Sequence, residues 1–485
     1  MNTVWLTFSL YFAALLLLGI IAWQRTSNLS DYILGGRRLG SGVTALSAGA
    51  SDMSGWLLLG LPGAAYLSGL EAGWIAVGLL IGTWLNWRLV ATRLRVATEN
   101  LSDSLTLPDY FQRRFADTSG LLRIIPGIFI FIFFSLYVSA GLVAGGRLFE
   151  TVFELPYIWA VLAGASAIII YTFLGGYLAV SWTDALQALL MLLALVAVPL
   201  MVFGSGETGI LAAAGNVNPE LLNPFTDNTG QTLSLLAIVS LLAWGLGYFG
   251  QPHILARFMG IRAAGELTRA RRIAMSWVTI CLVCAVLVGM AGIGVLADPL
   301  EGPDAETVFM RLVEVLFHPV IAGICLAAIL AAIMSTADSQ LLVASSAVAE
   351  DFYKGLLRPD AGQSELVWIS RISVVVIALV ALWLAADPDR MVLDLVAYAW
   401  AGLGATFGPV IVMSLYWQNM SRVGAILGMV AGGVTVILWG RASGGLFEVY
   451  EILPAAILAT LIAWLASKLI PDDNSRKAFS RMLDS

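Results

Sequence analysis

The sequence predicts an all-α membrane protein of about thirteen transmembrane helices. Three observations carry that reading: its composition, the recurrence of apolar runs, and the one-sidedness of its positive charge. Of 485 residues, 59% are hydrophobic and only 12% are charged, whereas soluble globular chains carry about 25% charged residues. No water-soluble fold could hide that much apolar surface, which excludes the soluble enzyme classes. Apolar runs of about 20 residues, the length that crosses a hydrocarbon core about 30 Å thick, recur from end to end.

Apolar runs and their polar breaks place the spans, numbered 1 to 13, near 4–24, 43–68, 73–92, 122–146, 157–178, 183–203, 232–252, 273–297, 317–349, 367–386, 391–417, 422–440 and 448–468. The intervening loops are too short to fold alone, so 1–485 reads as a single domain. The first run, Val4 to Trp23, has no positive charge before it and no small-residue cleavage site after it. It is therefore read as a span and not as a removed signal peptide.

Orientation follows from where Lys and Arg fall. With the N-terminus outside, inner segments hold 22 of the 26 basic residues, among them Arg25, Arg37, the group from Arg88 to Arg123 and the group from Arg257 to Arg272. Outer segments keep only Arg147, Arg311, Arg390 and Arg441 and gather acids such as Glu207, Glu220, Asp298, Glu301, Asp304 and Glu306. An odd span count then leaves the C-terminus in the cytoplasm. The net charge of −6 reflects those acidic outer loops, and nothing in it suggests nucleic acid.

Transporters often place their site where two corresponding helices, one in each repeat, are interrupted near mid-membrane. Span 2 contains SAGASDMSGW, Ser47 to Trp56, with a carboxylate, three serines and two glycines amid apolar sequence. Span 7 contains WGLGYFGQP, Trp244 to Pro252, with three glycines and a proline. Gly and Pro weaken the helical ladder, and carbonyls freed inside protein can coordinate a cation. The two breaks lie five spans apart, so spans 2–6 (43–203) and 7–11 (232–417) read as two five-helix repeats of opposite topology. An extra helix and inner loop (1–42), two further helices (422–468) and a cytoplasmic tail (469–485) flank them. Gly245 to Gly250 also matches GxGxxG, but a dinucleotide site requires a preceding strand. Helix packing through small residues is the alternative reading of these glycines.

Ionisable residues at membrane depth are costly and usually functional. Asp52 lies in the residues of span 2 that would unwind. Asp184, in SWTDALQ, starts span 6, where a helix N-terminal acid favoured by the macrodipole is the competing reading. Asp338 stands in MSTADSQ on span 9 beside Ser335, Thr336 and Ser339, a density of oxygens suited to a hard cation stripped of water. Ser335, Asp338 and Ser339 share one helical face, so Asp338 with Asp184 could share a second cation or hold a proton. His253 and His318 stand singly at span ends and read as structural. Cys281 and Cys284 form a CxxC inside an apolar span with no second ligand pair. No P-loop is present, so direct ATP drive has no support.

The strings DYILGGRRLG, TALSAGASDMSGWLLLGLPGA, LTLPDYF, GGYLAVSWTDALQALLM, WGLGYFGQPHILARFM and AAIMSTADSQLLVASSA resemble the sodium/solute symporter family, and within it the bacterial sodium/proline symporters. The likeness runs from span 1 to span 13. It implies a LeuT-like core of two inverted five-helix repeats, residence in the inner (plasma) membrane, and sodium as the co-transported ion with L-proline as the substrate. It also implies residue roles. Carbonyls of Ala50, Met53 and Ala332 and hydroxyls of Ser335 and Thr336 would hold sodium, supported by Asp52. Tyr137, Trp244, Tyr248 and Pro252, with Ser54 and Gly55, match substrate-site positions, and Arg37 matches a coupling position. Asp338 and Ser339 occupy a stretch whose counterparts in some relatives help hold a second sodium, and in the resembling fold Asp184 approaches the face of Ser335, Asp338 and Ser339 from the cytoplasmic side.

The chemistry of the residues agrees with that expectation. Trp244 and Tyr248 are i and i+4, with Pro252 one further step along, so α-helical turns would put them on one face against a small apolar ring. The substrate carboxylate would seek exposed N–H groups of a half-helix, and the secondary ammonium freed carbonyls. The same machine with another small solute, pantothenate or a related amino acid, is the alternative function.

Overall fold

The computed structural model describes residues 2–23, 29–174, 176–204, 209–387 and 390–483. Arg25 and Glu207, counted in the charge argument, lie outside them. Among the described residues the chain is helical throughout, and its only β-type pairings are two isolated bridges, Leu39 with Ile261 and Thr226 with Thr232. By length and hydropathy, nine helices among the described residues are able to cross a membrane, ten when the bent pair Leu235–Gly250 and Pro252–Gly260 is taken as one span. One of the nine, Gly55–Asn100, holds the second half of span 2 and all of span 3, joined through a tight turn at Gly69–Ala72. Spans 1 and 5 form helices as well, Asn2–Trp23 and Tyr157–Leu174, whose described apolar stretches are shorter.

Span 9, Pro319–Ser346, is the axis of the molecule: 83% of the apolar window in the run that contains it is buried, against 33% for span 13. It packs against spans 1, 4 and 6 and the first half of span 2. Outward-facing apolar side chains such as Leu193, Leu200, Trp383 and Leu438 are exposed, as a surface solvated by lipid requires.

Both expected breaks are present. Span 2 is helical over Ser41–Asp52, leaves helical geometry at Met53 (φ −87°, ψ 81°) and Ser54, and resumes at Gly55. Span 7 runs as an α-helix over Leu235–Leu242, tightens into a 3₁₀ helix over Ala243–Gly250, turns at Gln251 and resumes over Pro252–Gly260 with a 46° bend. Proline at the first position of the resumed helix fits there, since that N–H would have no helical acceptor.

The glycines of span 7 serve close packing. A Cβ on Gly245 would lie 2.1 Å from the Gly78 carbonyl of span 3, and one on Gly247 would lie 1.8 Å from the Trp400 indole nitrogen of span 11. In the loop between spans 8 and 9, buried Glu306 is not a solvated loop acid: it accepts the backbone N–H groups of Val392 and Leu393, both at 2.9 Å, at the start of span 11. Burial pushes its carboxyl above the ordinary range.

Candidate ion and substrate site

The break in span 2 determines what its backbone can do. The N–H of Ser54 turns to the Asp52 carbonyl at 3.1 Å, so the Ala50 carbonyl loses its helical donor. It accepts instead from Ser335 Oγ at 2.8 Å and Thr336 Oγ1 at 3.3 Å, both on span 9. Ser335 Oγ also lies 3.1 Å from the Ala332 carbonyl. Four oxygens of the expected sodium shell are thus gathered between spans 2 and 9, and Met53 sits in the unwound turn beside them. Two carbonyls and two hydroxyls without water form a donor set suited to a small hard cation.

Asp52 points the other way. Its Oδ2 accepts from the Tyr248 hydroxyl at 2.5 Å, and its Oδ1 is buried with no hydrogen-bond partner. The Asp52 carbonyl receives the Trp56 indole N–H at 3.2 Å and the Tyr137 hydroxyl at 3.4 Å. The two broken helices therefore meet at one carboxylate, and Asp52 joins the oxygen set on its own helix to the aromatic residues of span 7.

Those aromatics are buried, but they do not share one face. Three residues per turn rotate i and i+4 about 120° apart in a 3₁₀ helix. Tyr248 accordingly faces Asp52 and packs edge-on against Trp400 at 5.0 Å. Trp244 stacks on Tyr450 at 5.2 Å and approaches Trp56 at 6.5 Å. Trp400 donates to the Trp244 carbonyl at 2.8 Å and Asn86 to the Tyr248 carbonyl at 3.0 Å, holding the tight helix in register. Pro252 lies beyond the bend and lines a separate apolar cavity with Ile33, Leu34, Ile130 and Met259. Ser54 caps the resumed half-helix weakly, accepting from the Trp56 N–H at 3.5 Å. Gly55 lets that half-helix approach its neighbours, since a Cβ there would lie 2.9 Å from Ala144 and 3.2 Å from Ile333.

Arg37 stands apart from these groups. From the segment between spans 1 and 2 it bonds Asp103 at 2.6 Å, Thr98 at 3.2 Å, the Ser104 carbonyl at 3.1 Å and the Met259 carbonyl at 2.6 Å. Burial lowers its pKa from the ordinary value, and the Asp103 carboxylate works against that shift.

Around Asp184 the structure corrects the charge reading. Arg257, counted among inner-loop cations, is fully buried on the resumed half of span 7. Its Nη2 bonds Asp184 Oδ2 at 3.1 Å and Ser339 Oγ, its Nε bonds Ser47 Oγ at 3.1 Å, and its Nη1 bonds the His253 carbonyl at 3.0 Å. Ser47 donates to Asp184 Oδ2 at 2.6 Å. Asp184 is thus paired with a guanidinium rather than standing as a helix-terminal acid. His253 is buried edge-on to Phe134 and Tyr137, adjoining the site. Arg257, Trp400 and Tyr450 are contributors that the sequence did not mark. The spacing of Arg257 five residues past Pro252, on the continued helix, was the one signal for it in the chain.

A family model described as the sodium:solute symporter family matches residues 32–432. The chain belongs to that family. The symporter is 53% identical over 460 residues to the sodium/proline symporter of Salmonella typhimurium, covering 94% of this chain and 91% of that protein. It is 47% identical over 460 residues to a high-affinity proline transporter of Bacillus subtilis, covering 94% and 96%. Among solved structures, the substrate-bound outward-open state of a Na⁺-coupled sialic acid symporter superposes with a TM-score of 0.81 at 18% identity, over 96% of this chain and 98% of that one. MhsT in complex with L-phenylalanine gives 0.55 at 14% identity, over 90% and 98%. These two likenesses establish for the symporter a LeuT-like fold.

Proposed function

We propose that this symporter couples sodium entry to uptake of L-proline, with the coupling made at Asp52. The observation that carries the reading is the junction of the two broken helices: Ala50, Ser335 and Thr336 gather oxygens on one side of the break, and Tyr248 holds Asp52 on the other. Sodium, coordinated by carbonyls of Ala50, Met53 and Ala332 and hydroxyls of Ser335 and Thr336, draws span 2 onto span 9 and sets the position of Asp52. The pyrrolidine ring packs among Tyr137, Trp244 and Tyr248, beside Ser54 and Gly55, and its secondary ammonium meets the unpartnered Asp52 Oδ1. Each ligand improves the site of the other because both use the same unwound turn, which is what reciprocal linkage requires. Relatives that are proline transporters along nearly their whole length support proline over pantothenate.

The chain sits in the bacterial inner membrane with its N-terminus outside and its C-terminus in the cytoplasm, the orientation supported by the basic inner segments. Spans 2–6 and 7–11 form the two inverted repeats, with Arg37 joining the inner loop to the end of span 7. Purified protein in liposomes should take up labelled proline under an inward sodium gradient and not when choline replaces sodium. Unlabelled proline should compete, and pantothenate, betaine and other amino acids should not. Sodium-independent uptake, or equal competition by pantothenate, overturns the proposal.

A further inference from the structure

We infer that Arg257 is a built-in counter-cation occupying the place of a second sodium, and that it holds this symporter to one sodium per substrate. The inference rests on the proposed sodium symport and concerns its stoichiometry.

Four side chains were candidates for a second cation: Asp184, Ser335, Asp338 and Ser339. Three are already engaged. Asp184 Oδ2 and Ser339 Oγ bond the Arg257 guanidinium. Ser335 Oγ belongs to the first oxygen set, bonded to the Ala50 and Ala332 carbonyls at 2.8 and 3.1 Å. Asp338 remains, with one long contact from Ser339 Oγ to its Oδ1 at 3.5 Å and a buried Oδ2 that has no partner. Asp184 Oδ1 is buried without a partner as well; with one guanidinium already against the two carboxylates, a single proton balances the charge that remains, and no dehydrated cation with its several close oxygens is called for.

Arg257 itself is fully buried, and its three nitrogens reach Asp184, Ser47, Ser339 and the His253 carbonyl. A guanidinium cannot lose its proton and is carried by the chain. It therefore supplies the positive charge between spans 2, 6 and 9 in every turnover without crossing the membrane. Removing it would leave Asp184, Asp338, Ser47 and Ser339 around an emptied volume, with two carboxylates close enough to favour a cation.

The test is the ratio of sodium-22 to labelled proline flux in proteoliposomes. Wild type should give a ratio near one, with sodium activation of first order. Arg257→Ala should give a ratio near two with a sodium Hill coefficient approaching two, and Arg257→Lys should restore one. Asp338→Asn should return the Arg257→Ala variant to one and leave the wild-type ratio at one. A wild-type ratio of two, or a changed ratio in Asp338→Asn alone, overturns the inference without any need for the Arg257 variants to fold. An Arg257→Ala protein that transports with a ratio of one also overturns it. If that variant carries no flux, equilibrium sodium-22 binding to purified protein decides: two ions per chain against one in wild type support the inference, and equal numbers refute it. Absence of sodium-stimulated proline uptake in wild type would instead defeat the underlying reading of function.

Discussion

Asp52 is where a single residue carries most of the chemistry, and its neighbours separate the two ligands. Asp52→Asn keeps the size of the side chain but removes the charge that, in the proposed coupling, the sodium shell and the substrate ammonium both sense. Sodium-stimulated uptake should fall to background while the purified variant keeps its monodisperse elution; uptake at wild-type sodium affinity would remove Asp52 from the site. Because Tyr248 donates to Asp52 at 2.5 Å, Tyr248→Phe should weaken both ligands together. A hydrogen bond to a charged group contributes about 1.5–3 kcal/mol, so roughly tenfold or more in both affinities is expected from calorimetry. Trp244 packs on Trp56 and Tyr450, whereas the hydrogen bond to the Asp52 carboxylate comes from Tyr248, so Trp244→Ala should lower proline affinity through lost ring packing and leave sodium affinity within about twofold. Equal effects on sodium in both variants would contradict this division. Asp52 was legible in the chain because an acid amid Ser and Gly in an apolar run is too costly to bury without a role. Arg257 was not: it follows the Gly–Pro break where an inner loop was expected, and only the continued helix Pro252–Gly260 carries it inside.

At the scale of the element, the breaks in spans 2 and 7 were readable from Gly, Ser and Pro, whereas the kind of helix was not. An i, i+4 pair shares a face in an α-helix and diverges in a 3₁₀ helix, and the choice here is set by contacts with spans 3 and 11. Gly245 and Gly247 admit the Gly78 carbonyl and the Trp400 indole at distances a Cβ would forbid. Gly247→Ala should therefore push Trp400 off the Trp244 carbonyl and destabilise the fold by about 1–3 kcal/mol, the usual penalty of overpacking. Thermal scanning in detergent should show the lower midpoint. Gly265→Ala, where a Cβ meets nothing within 4 Å, is the control and should not move it.

Across the whole molecule, the end of the bundle that carries the C-terminal helix is tied together by contacts distant in sequence. Leu39 exchanges backbone bonds with the end of span 7, to Gly260 at 3.3 Å and from Arg262 at 2.8 Å. Buried Arg114 bonds the carbonyls of Ser414 at 2.8 Å, Trp417 at 3.4 Å and Ser475 at 2.9 Å, and lies over the rings of Phe115 and Phe479. The helix Asp473–Leu483 is thereby docked on the bundle, where the sequence suggested only a short tail. Arg114→Ala should release it: protease cleavage within 473–483 should speed up about tenfold, a shift of about 1.4 kcal/mol in the docking equilibrium. Unchanged cleavage would show that other contacts hold the helix.

The sequence by itself determined the membrane class, the two interrupted helices and the carboxylate at the first break, because each of these is written in local composition and in a resemblance that runs the length of the chain. Tertiary structure decided which groups share a pocket. It brought Trp400 and Tyr450 from the last spans to the face of span 7 and carried Pro252 away to another cavity. It also placed a guanidinium against Asp184. The physical reason is that burial and pairing depend on which helix lies beside which, and a cation read as solvated in the chain becomes a fixed charge once three neighbouring helices close around it.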